Sequence, residues 1–301
     1  MPTRMPALSL AAVPGRRKTT LELASDIEKR GFTGIFCPSL SDGIALCEAI
    51  AFATHEIKFG TSITPIYTRH VQDFAQTAAF IQEVSNNRFL FGLGVSHAPA
   101  MDRLGVDRGR PLADMKKFVS DLRAVPRAGT LPPLVLATLR KKMIALSADI
   151  AEGMVFANGS RSHMADSLSV VPAARRNDDA FFIGNMIPTC VSDDIGAARA
   201  TNRKTLTSYA MLPNYRNYWK EAGYEAEMNG VEEAIAAKRL EDVPKHLSDR
   251  WLDDCTLSGP RSRVREQIEA WFDAGIKTPI IVPSSAVGNQ MAAFQEFFSI
   301  W

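Results

Sequence analysis

The chain has 301 residues, of which 46% are hydrophobic and 23% are charged, and its formal net charge is +2. These values are typical of a globular protein with a large core, and the balanced charge argues against nucleic acid as a partner. No apolar run approaches the roughly 18 residues of a membrane span. The four cysteines lack metal-ligand spacing, so we expect no metal site and reduced thiols. The composition therefore predicts a soluble cytoplasmic protein.

Short apolar runs that are typical of buried strands alternate along the chain with amphipathic helical patterns. In chain order, the predicted strands lie at 7–13, 33–37, 57–64, 88–93, 134–138, 153–157, 180–191 and 279–283. The predicted helices lie at 19–30, 44–54, 71–84, 111–124, 142–150 and 163–170, and Ser258-Gly259-Pro260 opens a last helix that ends at Gly275.

Eight strands that alternate with helices predict a (β/α)₈ barrel. We expect a single TIM-barrel domain over 1–301, with a mainly helical insertion at about 193–254 between strands seven and eight. The rival is a doubly wound open sheet with a helical second domain. The strand count favours the barrel, and the first strand-to-helix turn, Val13-Pro14-Gly15-Arg16-Arg17, lacks a dinucleotide fingerprint.

The stretch from Asn87 to Val106 gives the main functional signal. Residues 88–93 predict a strand buried on both faces, and Gly92-x-Gly94-Val95-Ser96-His97 follows as a glycine-bearing loop. Ligands of parallel α/β folds bind at such loops because these lie at the carboxyl ends of strands. Histidine titrates near neutral pH, so His97 is the candidate for proton transfer. The alternative is a loop histidine that bonds to the backbone.

Other candidates follow the third and fifth strands. His70 contacts a substrate or, alternatively, orders the first turn of a helix. Arg140, Lys141 and Lys142 begin a helix, where their charge and the free N–H groups suit a phosphate. A solvated basic turn is the alternative.

Six motifs follow one another from the third predicted strand to the last helix. They are Phe59-Gly-Thr-Ser-Ile-Thr-Pro-Ile-Tyr-Thr-Arg-His70, Asn87-Arg-Phe-Leu-Phe-Gly-Leu-Gly-Val-Ser-His97, Arg110-Pro111, Pro133-Leu-Val-Leu-Ala-Thr138, Tyr209-x-x-x-Pro213-x-Tyr215, and Ser258-Gly-Pro with Asp273-Ala-Gly275. In this order they resemble the luciferase-like monooxygenase family, and within it the F420-dependent oxidoreductases.

The resemblance implies a TIM barrel that binds F420 or, alternatively, FMN at the carboxyl ends of its strands, with a cis peptide bond between Ser62 and Ile63. The cofactor-binding positions it implies are Ser62, Ile63, Thr64, Gly94, Val95, Ser96, Thr138, Leu139, Arg140 and Lys141. His70, Tyr209 and Tyr215 are the substrate positions, although core packing is the alternative for the tyrosines.

The implied chemistry is hydride transfer to a small organic substrate, or its oxygenation with reduced flavin. The implied partners are a second copy of the chain and a separate cofactor reductase. The outer helices at 71–84 and 111–124 would form the dimer, and Phe80 is an extra apolar position there.

The sequence departs from the family at two places. Many relatives have a His after the second strand, where this chain has Cys37-Pro38-Ser39-Leu40. Close relatives have Gly-Pro-Lys after the fifth strand, where this chain has Leu139-Arg140-Lys141. These departures leave open a degenerate, non-catalytic flavin-binding barrel as the alternative function.

Overall fold

The structure is a computed structural model that describes residues 4–39, 42–107 and 109–301. Its fold class is the (β/α)₈ barrel, which confirms the prediction. Leu40, at the first departure from the family, lies outside the described residues.

The strands are short and follow the apolar runs of the sequence. They are β1 Ala7–Ser9, β2 Gly34–Cys37, β3 Lys58–Thr61, β4 Thr64–Pro65, β5 Phe89–Gly94, β6 Leu134–Thr138, β7 Gly153–Ala157, β8 Phe182–Val191, β9 Leu257–Gly259 and β10 Thr278–Ser284.

The helices follow the amphipathic stretches between the strands. The first eight are α1 Arg17–Lys29, α2 Gly43–Ala53, α3 Val71–Val84, α4 Ala98–Arg103, α5 Pro111–Ala124, α6 Lys141–Ile150, α7 Met164–Ser167 and α8 Ala173–Arg176. The others are α9 Ile195–Ala210, α10 Pro213–Glu221, α11 Glu225–Ala236, α12 Asp249–Cys255, α13 Arg261–Asp273 and α14 Gln290–Phe298. Short 3₁₀ helices lie at Arg161–His163, Leu168–Val170 and Leu240–His246.

The structure corrects the predicted elements in three places. Residues Leu257–Gly259 form strand β9, which pairs in parallel with β8, instead of only opening a helix. The predicted strand 57–64 is divided into β3 and β4. Helices at Ala98–Arg103, Ala173–Arg176 and Gln290–Phe298 are present although the sequence pattern did not predict them.

The chain forms two compact units, which we describe separately. The first comprises the described residues of Met1–Phe156 and Val170–Gly184, and the second comprises Ala157–Ser169 and Asn185–Trp301. Helices α9 to α12 fill the segment predicted as a helical insertion. The division into one domain with an insertion stays a prediction.

In the first unit, β1, β2, β3, β5, β6 and β7 pair in parallel in that order, and β4 also pairs with β5. Successive side chains of these strands are buried, as at Ile35 and Phe36 of β2 and at Val135 and Leu136 of β6, so both faces are covered. Parallel strands place all of their carboxyl ends at one edge of the sheet, so the loops that follow these strands lie together. Within the described chain, no helix has the length and hydropathy that a membrane crossing requires.

Candidate functional site

Strand β5 is opposed by two short strands, because the chain between β3 and β4 holds one extra residue. Phe59 of β3 pairs with Phe89, and Thr64 of β4 pairs with Leu93. The segment from Phe59 to Thr64 is therefore one residue longer than the segment of β5 that it faces. Such a bulge redirects the side chains next to it. The peptide bond between Ser62 and Ile63 lies in this bulge and is cis, as the family resemblance implied.

Glycine and threonine let β3 and β5 approach each other closely below the bulge. A Cβ added to Gly92 would overlap the carbonyl oxygen of Thr61. The hydroxyl of Thr61 donates to the carbonyl oxygen of Gly92 over 2.7 Å. On the other side of the bulge, the N–H of Ser62 donates to the carbonyl oxygen of Cys37 over 2.7 Å. The bulge is therefore fixed to β2 and, through Thr61, to β5.

The side chain of Ile63 lies on the backbone of β5. A Cβ added to Gly94 would be 2.6 Å from Cδ1 of Ile63 and 3.1 Å from Cβ of Ala137, which belongs to β6. Gly94 therefore lacks a side chain because Ile63 occupies that space. Ile63 itself stays half-buried, whereas Thr64 is buried in its pairing with β5.

Two buried hydroxyls at these strand ends have no hydrogen-bond partner in the described part of the chain. They are Oγ of Ser62 and Oγ1 of Thr138, the last residue of β6. A buried polar atom without a partner costs free energy, on the order of 1–3 kcal/mol. Ser62, Ile63, Thr64, Gly94 and Thr138 form the strand-end cluster, and its unpartnered hydroxyls fit a ligand with polar edges, such as a flavin or deazaflavin ring.

The loop after β5 carries three of the predicted residues. Val95, Ser96 and His97 are all half-buried, and Ser96 has a φ of +57°, in the left-handed region. His97 caps helix α4 with its main chain, since its carbonyl oxygen accepts from the N–H groups of Ala100 and Met101. Its side chain makes no cap hydrogen bond, so the imidazole is not used to start the helix.

The loop after β6 leads into the basic pair. Leu139 is half-buried, while Arg140 and Lys141 are exposed. Arg140 is the N-cap residue of α6 and makes no side-chain cap hydrogen bond, and Lys141 is the first residue of that helix. The positive end of a helix and two cations thus lie directly after Thr138, an arrangement that favours an anionic group.

His70 caps the start of α3. This is the structural role that the sequence allowed as the alternative to a substrate contact. Its Nδ1 accepts a hydrogen bond from the N–H of Gln72 over 3.3 Å, and the residue is exposed. Its neighbour Arg69 forms an ion pair with Asp42 over 2.8 Å. The substrate role of His70 stays a prediction.

The second unit places Tyr209 and Tyr215 together in an aromatic group. Their rings meet edge to face with centroids 5.0 Å apart, and Trp219 follows at 5.4 Å from Tyr215. Tyr215 is buried and Tyr209 is half-buried. Burial raises the pKa of the Tyr209 hydroxyl, while the amide of Asn158, which faces it, partly opposes that rise. Tyr215 therefore packs in the core, and Tyr209 keeps an accessible part.

The sequence reasoning missed two polar residues of this unit, Asn158 and Asn185. Both are buried, and the Nδ2 atom of each has no hydrogen-bond partner among the residues described. The signal was weak, because Asn158 only follows an apolar run and Asn185 lies within one. No group of three or more His, Cys, Asp and Glu side chains suited to a metal occurs in the described ranges.

The fold is an α/β barrel, and the strand-end cluster lies at the carboxyl ends of its strands, where ligands of this fold class bind. The chain belongs to the luciferase-like monooxygenase family, whose model matches residues 2–125 and 116–278.

The names of proteins that are similar to this chain give different cofactors. A protein of Mycobacterium tuberculosis, provisionally named a coenzyme F420-dependent oxidoreductase, is 24% identical over 88% of this chain and 90% of its own. The F420-dependent tetrahydromethanopterin reductase of Methanopyrus kandleri has a similar structure, with a TM-score of 0.76, 14% identity, and coverage of 98% of this chain and 97% of that one. A type II Baeyer-Villiger monooxygenase of Pseudomonas putida, solved with FMN, has a TM-score of 0.66 and 14% identity over 98% and 96% of the two chains. At these identities the structural likeness shows the fold alone.

The unpartnered hydroxyl of Thr138 can be compared with the paired hydroxyl of Thr61. We expect Thr138→Val to leave the free energy of unfolding unchanged or to raise it by up to about 1–3 kcal/mol, because no hydrogen bond is lost and an unpartnered buried hydroxyl is removed. Thr61→Val removes the bond to Gly92 and should cost about 1–3 kcal/mol. Urea denaturation of the two variants measures the difference. Equal losses would show that Thr138 is part of the scaffold and not of a binding site.

Proposed function

We propose that the chain is an oxidoreductase that binds F420 and transfers a hydride to or from a small organic substrate, with FMN as the alternative cofactor. The observation that carries the proposal is the strand-end cluster, where Ser62 and Thr138 present buried, unpartnered hydroxyls. When bound, F420 supplies a ring carbon that accepts or donates a hydride. The protein's part is to bind and orient the ring and to keep water from it.

The predicted residues divide into two groups around such a cofactor. Ile63 and the residues Gly94 to Ser96 would form an apolar and backbone surface against the ring, while Ser62 and Thr138 would bond to its polar edge. Arg140 and Lys141 at the start of α6 would hold the anionic tail through charge-assisted hydrogen bonds. Arg140 and Lys141 are exposed, so this contact would weaken as salt is added.

F420 is preferred over FMN because relatives over most of the chain carry F420-dependent names. The FMN complex of a similar barrel supports the alternative. A basic pair suits the phosphate of either cofactor, so the site chemistry does not separate them.

A titration of the purified full-length chain with F420 and with FMN, followed by absorbance, tests the proposal. We expect saturable binding of F420 that is tighter than binding of FMN. Arg140→Ala combined with Lys141→Ala should raise the dissociation constant about 5- to 100-fold at low salt, from the loss of one or two charge-assisted bonds. The matched control is Lys116→Ala with Lys117→Ala in the middle of α5, which removes the same charge away from the strand ends.

Two outcomes would contradict the proposal. Equal weakening in both double variants would assign the effect to net charge and not to the start of α6. Absence of binding to either cofactor would favour the degenerate, non-catalytic barrel.

His97 is proposed as the residue that holds or moves a proton beside the reacting carbon, since it is half-buried in the loop that follows the carboxyl end of β5. His97→Gln keeps hydrogen bonding but does not titrate, so turnover should fall about 10²- to 10⁴-fold. Cofactor affinity should change less than tenfold. The assay uses the substrate that the unmodified chain converts fastest among small ketones, enones and alcohols. His55→Gln, an exposed histidine before β3, is the control, and full activity of His97→Gln would exclude the catalytic role.

A second copy of the chain is the proposed partner, bound through the outer helices. Phe80 of α3 is 47% exposed and Leu112 of α5 is 38% exposed, so apolar surface is left on both predicted helices. We expect a dimer at micromolar concentration in sedimentation velocity, and a monomer for Phe80→Asp, because a charge there would be desolvated in the interface. Leu240→Asp is the control, since Leu240 is 51% exposed in the second unit. A monomeric unmodified chain would overturn this assignment.

A further inference from the structure

We propose that the second unit contains a subsite for a neutral oxygen acceptor, such as the carbonyl oxygen of an organic substrate, with the side-chain amides of Asn158 and Asn185 as its donors. The two residues lie on either side of the same short backbone segment at Gly159. Asn158, Gly159 and Asn185 are called the Gly159 cluster below. The subsite deepens the proposed function, because it assigns a chemical class to the substrate.

Asn185 holds a fixed orientation at Gly159. Its Oδ1 accepts a hydrogen bond from the N–H of Gly159 over 3.3 Å, which determines that its other terminal atom is the NH₂ group. The residue is 0% exposed, and its Nδ2 has no hydrogen-bond partner among the described residues. An amide that is half satisfied and fully buried leaves both of its N–H donors for another molecule.

The main chain of Asn158 is held by two hydrogen bonds, and neither of them uses its side-chain amide. Its N–H donates to the carbonyl oxygen of Met186 over 3.0 Å, and its carbonyl oxygen accepts from Nε1 of Trp219 over 3.2 Å. The residue is 3% exposed, and its Nδ2 also has no hydrogen-bond partner in the described chain. The amide faces the Tyr209 hydroxyl and partly opposes the rise in its pKa that burial causes.

The backbone between the two amides is kept free of side chains. A Cβ added to Gly159 would be 2.8 Å from Cε of Met164 and 3.4 Å from Oδ1 of Asn185. A larger residue would therefore displace the methionine or the asparagine. Glycine thus keeps the amide of Asn185 against the backbone, next to Asn158 in the chain.

The chemistry of the cluster favours a neutral acceptor. Both unpartnered groups are uncharged donors, and an uncharged donor suits a carbonyl or hydroxyl oxygen better than it compensates a buried anion. The neighbouring wall is aromatic, since Tyr209, Tyr215 and Trp219 follow one another in ring contact. Asp254 of α12 already accepts hydrogen bonds from the N–H and the hydroxyl of Ser162. An apolar body with one oxygen acceptor matches these surroundings.

Binding is tested without F420 or FMN, so the result does not depend on the cofactor titration. The probe is cyclohexanone, added to the ¹⁵N-labelled full-length chain while the side-chain NH₂ signals are followed by NMR. We expect the signals of Asn158 and Asn185 to shift together and to saturate. Asn202 is the internal control, because its buried Nδ2 already donates to the carbonyl oxygen of Leu257 and to Oγ of Ser258, and its signals should stay in place.

Two matched variants assign the signals and test the donors. Asn185→Asp keeps the acceptor for Gly159, and Asn158→Asp keeps a residue that tolerates the left-handed φ of +57° at this position. Each replaces a donor by an oxygen, so the dissociation constant of cyclohexanone should rise at least about tenfold. Asn202→Asp introduces the same change elsewhere in the unit and should leave the constant within about twofold.

The titration of the unmodified chain with cyclohexanone tests the subsite even if a variant does not fold. Absence of a saturable shift at Asn158 and Asn185 with cyclohexanone would overturn the subsite. Tighter binding of cyclohexanecarboxylate at the same two amides would overturn its neutral character, and equal shifts with cyclohexylammonium would show that no acceptor is recognised. If cyclohexanone binds while F420 and FMN do not, the subsite stands and the proposed function fails.

Discussion

The close approach of β3 and β5 is the constraint on which the candidate site of the first unit depends. The backbone of Gly92 lies where no side chain fits against Thr61, and the Thr61 hydroxyl ties the two strands together. With the strands fixed at this distance, the extra residue between β3 and β4 is accommodated as a bulge at Ser62 and Ile63. Ile63 is then turned onto Gly94, which again has no side chain. The strand-end cluster thus depends on two glycines, Gly92 and Gly94, at positions where a side chain would overlap the neighbouring strand.

The opposite ends of these strands carry the stabilising contacts. Arg88, which precedes β5 and is buried, donates hydrogen bonds to the carbonyl oxygens of Ser85, Ile57, Ala51 and Thr54 and to the hydroxyl of Thr54. Burial of a guanidinium is costly unless its donors are satisfied, and here they are. Burial alone would raise the pKa of Glu28, but its bonds to the N–H groups of residues 55 to 57 outweigh this and lower it. The loop before β3 is therefore held firmly by contacts at the amino ends of the strands.

Periodic segments were predicted well because their local pattern and their burial agree. Helix α3 and strands β6 and β7 have the predicted bounds, and apolar spacing was sufficient for each. The sequence missed α4, which has only six residues and starts at Ala98-Pro99 without an apolar period. It also missed β9, since Ser258-Gly259-Pro260 is typical of a helix start, whereas pairing with β8 is a contact between distant segments. The cis bond came from the family resemblance, because no local pattern indicates it.

Burial without a hydrogen-bond partner does not by itself mark a binding site. Oε1 of Gln82 and Nε1 of Trp251 are also unpartnered among the described residues, but each stands alone. Ser62 and Thr138 differ because they lie at strand ends of one sheet, and Asn158 and Asn185 differ because they share Gly159. Donors of the same type that have partners show what the scaffold provides, as the Thr61 hydroxyl and the Nδ2 atom of Asn202 both donate within the chain, although Oδ1 of Asn202 has no partner among the described residues. Two local clusters of unpartnered donors, at strand ends and at Gly159, are therefore better candidates for ligand binding than single unpartnered atoms elsewhere.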